Sequence, residues 1–360
     1  MLVPIVTALL GLDPSLTTPA DTIPGQVPSS LVIRSEPLEG RTLRGDYEAP
    51  DRVLLVFTET WATATRAIAE QALESGADVS IVLEIENPRW KLDRIVRELE
   101  RRYGDRISVF DGSVDTPWVR DWGPIQLRRD DRPLWLDADY DDANRRQDDE
   151  TPVLLGRTFS TEVVELPWPL DGGAFISNGA GLCVLTREYL DMQGIVWDER
   201  DLADLLTQIG CRATALVPTL LGEATKHADM IAQFVAPDRL LMTTLIDELD
   251  GDSEDALRLR AAELGIRQAA ASLGLELEVV HVPTPPARAQ NNPRSYVNGL
   301  HLPDRYLMPS YPELPDHWDR DAREAVQRAL GEVPVVPITT STMIGSGGAI
   351  HCSALGLFTH

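Results

Sequence analysis

Cys352 ends the stretch Gly345-Ser346-Gly347-Gly348-Ala349-Ile350-His351-Cys352, close to the end of a 360-residue chain. Glycines let backbone approach backbone or a ligand closely, so this stretch can hold a nucleophilic thiol on a tight turn. Taken alone it reads first as a small buried cysteine in a Gly-rich turn, a common role for a free thiol. Four other polar segments bear on the choice. Trp118-Val119-Arg120-Asp121-Trp122 puts a carboxylate between two aromatic rings, a receptor for a flat cation such as guanidinium, or a structural Arg-Asp pair with Trp packing. Asp171-Gly172-Gly173 puts a carboxylate beside two glycines, or makes an ordinary turn. His227 and Asp229, two apart, share one side of an extended segment. They pair an imidazole with an anion, for acid/base work or as two metal ligands. Ser295-Tyr296-Val297-Asn298 is a polar end to a Pro-rich loop and says little by itself.

Alternating strand and helix patterns must position these segments. Apolar, β-branched runs predict strands at 52–57, 78–83 and 107–110. Helical spacing predicts helices at 61–75 and 91–103 between them. The middle third predicts strands at 133–137, 162–166 and 182–185, with a polar loop at 141–151 that holds Arg145 and Arg146. Helices at 199–209, 252–273 and 318–330 alternate with strands near 214–218, 240–244, 275–282, 306–308 and 333–338. This alternation argues for an α/β fold. A GxGxxG turn after a strand and a P-loop are both missing from the sequence, so a doubly wound nucleotide-binding fold has no motif support.

Asp and Glu outnumber Lys and Arg 57 to 33, for a formal charge of −24. Such a surface repels nucleic acid and anionic membranes and favours cationic partners, besides aiding solubility. No apolar run is long enough to span a bilayer. The three cysteines, Cys183, Cys211 and Cys352, are widely spaced and form no CxxC pattern and no disulfide framework. Cys183 and Cys211 read as ordinary core residues. Residues 2–12 are apolar, as a signal peptide's central region is, but no basic residue precedes them and no small-x-small cleavage site follows. Residues 13–30 are rich in Pro, Thr and Ser and read as a tether. Residues 1–30 are therefore expected to be an apolar start and tether, of an exported protein or of a cytoplasmic one, and residues 31–360 a single catalytic domain.

Five segments in order, Trp118 to Pro124, Asp171 to Gly173, Lys226 to Met230, Ser295 to Asn298 and Gly347 to Cys352, resemble the agmatine deiminase and bacterial-type peptidylarginine deiminase family of the pentein superfamily. The resemblance implies a five-bladed α/β propeller of ββαβ-like units with its site at the central axis. It implies hydrolytic deimination of a guanidinium group with no metal or organic cofactor. Carried onto this sequence, Cys352 corresponds to the nucleophile, His227 to the general acid/base, and Asp121 and Asp229 to the carboxylates that grip the guanidinium. Trp118, Asp171 and Asn298 correspond to substrate-binding positions. Asp171 stands where agmatine deiminases usually carry Glu, so the same charge reaches about one methylene less far.

The product expected is citrulline from a peptidyl or C-terminal arginine, with ammonia. Arg145 and Arg146, in a loop resembling the peptidylarginine type, could clamp a carboxylate bidentately. The alternative is agmatine, giving N-carbamoylputrescine. Readings from other classes are a non-catalytic pentein binding module, a metal hydrolase built on His227, Asp229 and His351, and amidinotransfer to an amine.

Overall fold

The structure, a computed structural model, describes residues 29–83, 90–110, 112–140, 145–193, 199–245, 253–286 and 292–360. The apolar start at 2–12 and most of the tether to residue 30 lie outside the described residues. So do 141–144 of the polar loop and 287–291 of the Pro-rich one. Among the described residues no helix is long and apolar enough to cross a membrane.

The chain begins with β1 (Leu31–Arg34), β2 (Arg41–Leu43), β3 (Arg52–Phe57), α1 (Ala62–Ser75), β4 (Asp78–Leu83), α2 (Trp90–Tyr103) and β5 (Ile107–Val109). It continues through α3 (Val119–Trp122), β6 (Ile125–Arg129), β7 (Arg132–Asp139), α4 (Arg146–Phe159) and β8 (Glu162–Pro169). Next come β9 (Phe175–Ser177), β10 (Leu182–Thr186), α5 (Arg187–Met192), α6 (Glu199–Ile209) and β11 (Ala213–Val217). Then follow β12 (Ala232–Ala236), β13 (Arg239–Leu245), α7 (Glu254–Ser272) and β14 (Glu278–Thr284). The last stretch holds β15 (Leu300–His301), β16 (Tyr306–Ser310), α8 (Asp316–Leu330), β17 (Val335–Thr339), α9 (Ser341–Ile344), α10 (Ile350–Ser353) and β18 (Ala354–Leu357).

The described strands form five sheets of three or four strands. Each sheet contains the same unit: two antiparallel strands, a helical connection, and a third strand parallel to the second. The units are β6-β7-α4-β8, β9-β10-α5-α6-β11, β12-β13-α7-β14, β15-β16-α8-β17 and β18-β3-α1-β4. The last unit draws on both ends of the chain, because β18 pairs with β3 with Ala354 opposite Leu55. The parallel pairs read as nearly continuous apolar runs because helices cover them. On α2, Leu92, Val96 and Leu99 recur at helical spacing and are the buried residues. Each adds about 1.5–3 kcal/mol of burial to a cluster with Ile68, Leu73, Val79 and Ile81.

The α/β alternation is as expected, but the sequence pattern leaves out the first strand of every unit: β6, β9, β12, β15 and β18. These strands are two to five residues long, too short for a period-2 pattern to stand out. The polar stretch expected as a loop to residue 151 is also corrected, since α4 begins at Arg146. Its early acids, Asp148 and Asp149, suit a helix N-terminus, whereas Pro152 hides the helix from a propensity reading.

Cys183 and Cys211 are corrected too: they form a disulfide, with Cα atoms 5.9 Å apart and 28 residues apart in sequence. One sits in β10 and the other enters β11, and parallel pairing of those strands brings them together. Only the sheet register makes this contact, so spacing could not show it. The chain-entropy model assigns a loop of this length about 3–4 kcal/mol. In a Cys352→Ser background, reduction, or Cys183→Ser with Cys211→Ser, should lower the unfolding free energy in urea by about that amount. An unchanged denaturation midpoint would show that the bond contributes nothing.

Candidate active site

Each site segment lies just before the first strand of a unit. Asp121 precedes β6, Asp171 precedes β9, His227 and Asp229 precede β12, Asn298 precedes β15 and Cys352 precedes β18. Five separate connections therefore converge on one place.

The segment before α3 is tied down by a buried carboxylate. Asp148 accepts the N–H of Asp115 at 2.7 Å, the N–H of Thr116 at 3.2 Å and the Thr116 hydroxyl at 2.7 Å. Trp118 then packs edge-on against Trp61, with centroids 4.7 Å apart. A Cβ on Gly348 would lie 2.7 Å from Cys352 Sγ and 2.8 Å from Trp118 Cζ3. Only glycine lets the loop pass between ring and thiol. Cys352 itself sits in the one-turn helix α10 rather than in the glycine loop. That turn is fixed by the Asn298 side-chain oxygen, which accepts the N–H groups of Ala349 (3.2 Å), His351 (3.1 Å) and Cys352 (3.4 Å). The Asn298 amide donates to the Asp229 carbonyl at 3.3 Å and lies 3.2 Å from Sγ. Asn298 thus couples nucleophile and carboxylate through one side chain.

His227 is 1% exposed and lies between two carboxylates. Its Nε2 is 3.2 Å from Asp171 Oδ2 and its Nδ1 is 3.5 Å from Asp121 Oδ1. The Tyr189 ring stands edge-on to the imidazole, and its hydroxyl accepts the Asp171 N–H at 2.7 Å. Glu223, fully buried, accepts the His227 N–H at 3.0 Å. Asp229 Oδ2 accepts from His351 Nδ1 at 2.7 Å and lies 3.5 Å from Sγ. Asp121 Oδ1 and Asp229 Oδ1 are buried with no hydrogen-bond partner. A Cβ on Gly173 would fall 2.5 Å from His227 Nδ1, 2.8 Å from Asp121 Oδ1 and 3.2 Å from Asp229 Oδ2. Gly173 faces the point where the His227 ring and both carboxylates meet.

Burial and the surrounding carboxylates raise Asp121 to about 8, against the pull of His227. Burial opposes the charge of His227, but Asp121, Asp171 and Asp229 outweigh it and raise the imidazole to about 10. Asp229 is held below the usual carboxylate range: burial acts against it, and the His351 bond overcomes that. Burial lowers His351 to about 4, so it donates as a neutral ring. Burial, with Asp229 and Asp121, pushes the Cys352 thiol well up. The resting cluster therefore has a protonated thiol, an imidazolium and an anionic Asp229.

The other expected residues separate. Arg145 lies over the Tyr140 ring, 5.5 Å from its centroid, and donates to the Tyr140 hydroxyl at 2.5 Å. Burial, then the charges of Asp121 and Asp171, raise the Tyr140 hydroxyl, so Tyr140 and its partner Arg145 lie within electrostatic range of the cluster. Arg146 is not brought there: its side chain is 85% exposed and pairs with Glu150. Sequence reasoning passed over Tyr140, Tyr189 and Glu223, and gave His351 only a metal-ligand reading. Glu223 lies four residues before His227 and His351 adjoins Cys352, so proximity was a signal for those two. Tyr189 carried none. Among the described residues no group of three His, Cys, Asp or Glu is arranged to hold a metal ion.

The glycine contacts yield a direct test. By NMR, His227 should titrate near 10. In Gly173→Ala the new methyl must push the ring from Asp121, and the value should fall toward the free-imidazole range near 6.5. An unshifted titration would show that the ring does not lean on this glycine.

Two proteins named "Putative agmatine deiminase" are similar to this chain. The one from Marinomonas sp. (strain MWYL1) is 23% identical over 90% of this chain and 96% of its own length. The one from Legionella pneumophila is 24% identical over 69% of this chain and 74% of its own length. Among solved structures, the agmatine deiminase of Enterococcus faecalis superposes with a TM-score of 0.74 at 19% identity, covering 89% of this chain and 98% of that one. That likeness shows a shared α/β fold. The family model for Porphyromonas-type peptidyl-arginine deiminases matches residues 46–356, and the chain belongs to that family.

Proposed function

We propose that the protein hydrolyses a guanidinium group to a ureido group and ammonia through a thiouronium on Cys352. The observation that carries this reading is the pair of buried, unpartnered oxygens, Asp121 Oδ1 and Asp229 Oδ1, beside a buried thiol. A buried acceptor without a donor costs about 1–3 kcal/mol, and a planar guanidinium supplies the missing N–H groups in a fork that fits carboxylates.

Binding places the cation between Asp121 and Asp229 and offsets the anionic field that keeps the thiol protonated. The thiol then loses its proton to solvent, and the thiolate attacks the guanidinium carbon. His227, as imidazolium, gives its proton to one amino nitrogen. The C–N bond breaks and ammonia leaves, with a C–S bond in its place. Neutral His227 takes a proton from water as the water oxygen attacks the same carbon. The C–S bond breaks, the hydroxyl proton of the collapsing adduct passes to the departing sulfur to regenerate the thiol, and the ureido product departs.

For the substrate we read an arginine with a carboxylate within reach of Arg145, peptidyl or C-terminal. Arg145, held on Tyr140 within electrostatic range of the cluster, supports this, and Arg146 takes no part. Agmatine is the second reading, supported by the names of the relatives. The same carboxylate spacing serves both. We also read residues 31–360 as one domain, with the five ββαβ units as the blades of a propeller and the site at its axis. The pairing of β18 with β3, which ties the chain's ends into one unit, supports that reading. The disulfide suits folding in an oxidising compartment.

Cys352→Ala should abolish ammonia release from every member of a panel of agmatine, free arginine, C-terminal-arginine peptide and internal-arginine peptide; full activity would sink the nucleophile assignment. Asp229→Asn should lower kcat/KM by about 10²- to 10⁴-fold, since breaking a buried charge pair costs about 3–5 kcal/mol. Guanidinium binding needs anionic Asp121, and ammonia departure needs protonated His227. So kcat/KM should rise as pH climbs through about 8 and fall through about 10. A profile flat from neutrality to the high limb would rule out Asp121 as a titrating grip.

A further inference from the structure

The first strands that begin at the site also line a second cavity. Its volume is about 70 Å³, and its walls include Asp46, Arg120, Gln126, Ser177, His301 and Phe358. Gln126, Ser177, His301 and Phe358 follow Asp121, Gly173, Asn298 and Cys352 by three to six residues along the same strands. These residues therefore lie further along, or just past, the first strands of their units than the site residues do. Tyr140 and Arg145 lie at the other end. β7 runs antiparallel to β6, with Leu136 opposite Ile125, so the chain after β7 returns to the site end. The cavity therefore lies behind the site, away from Arg145. Its inner wall includes Arg120 and Gly172, the direct neighbours of Asp121 and Gly173. Arg120 Nε points to the carbonyl of His351, at 3.5 Å.

The reaction poses a traffic problem at this site. Cys352 is 3% exposed and Asp229 fully buried. On the deimination reading, a substrate tail directed toward Arg145 occupies that approach and stays covalently attached while the thiouronium exists. During that interval ammonia must leave and one water must enter. The cavity has room for about five waters, at roughly 10–15 Å³ each. Asp46, Gln126 and Ser177 give it a polar lining suited to water and ammonia.

We propose that this cavity is a rear passage, by which ammonia leaves and the hydrolytic water enters while the substrate tail occupies the front. The inference rests on the deimination reading. Phe358 is the lining residue furthest along its strand from Cys352, and Arg44 stacks on its ring at 4.0 Å. It touches none of the reacting groups and is the place to alter the passage.

The test follows the fate of the thiouronium when methylamine competes with water. Turnover of agmatine and of a C-terminal-arginine peptide is run with methylamine, and ureido and N-methylguanidino products are measured by mass spectrometry. Only reacting molecules contribute to their ratio, so partial misfolding of a variant does not distort it. Phe358→Ala, and the milder Phe358→Leu, should raise the methylated share several-fold over the native enzyme. Phe358→Trp should lower it and let the covalent adduct accumulate, while Tyr140→Ala at the front should leave the share unchanged. A share unmoved by the Phe358 series, or raised by Tyr140→Ala alone, would overturn the rear passage and leave deimination standing. Absence of any ureido product from the native enzyme would overturn the deimination reading, and the passage with it.

Discussion

Two buried carboxylates, each with an oxygen that accepts no hydrogen bond, are the constraint on which the site depends. Asp229 keeps its charge in the interior because His351 donates to one of its oxygens. Asp121 shares the charge of His227. Oδ1 of each accepts no hydrogen bond, although Asp121 Oδ1 faces the His227 ring at 3.5 Å. Such an arrangement is unfavourable by itself and persists only if the surrounding fold leaves it no relaxed alternative. Asn298 provides part of that restraint by holding the backbone of α10 and Asp229 together. Asp148 provides another part by holding the segment that leads to Trp118 and Asp121.

The repeated unit explains how so many polar groups reach one place. The connection into each unit's first strand ends near a common point, and each unit brings one polar segment there. Five short connections each contribute one or two side chains, and none has to carry the whole site. The arrangement needs close approach at two positions, Gly173 and Gly348. There the neighbours are a catalytic ring, two carboxylates and a thiol, and a methyl group would displace them.

Electrostatics assigns the protons. The carboxylates hold His227 protonated, and burial with Asp229 and Asp121 holds the thiol neutral; on the proposed reading that state suits donation to a leaving amine rather than attack. A cationic substrate changes the balance at the moment it arrives. The acidic surface, with its formal charge of −24, has the sign that attracts such a substrate.

The α/β alternation and the covered parallel strands were legible from hydrophobic runs, since burial on both faces forces Val, Leu and Ile into them. Cys352, His227, Asp121, Asp229, Asp171 and Asn298 stood out in the sequence through segments whose order resembles a deiminase family, since each segment alone reads as well as a turn or a core residue; the structure brings these side chains together. The first strands were too short to leave a pattern, and α4 was masked by Pro152. The Cys183–Cys211 bond depends on the register of β10 against β11. The place of Tyr189 over His227, the separation of Arg145 from Arg146 and the cavity behind Arg120 depend on how sheets meet. Sequence carries local pattern and chemical type, because these are properties of neighbouring residues and of side chains. Which distant side chains share a proton, a disulfide or a cavity wall is decided by tertiary packing, where contacts are set by register and by the approach of separate units.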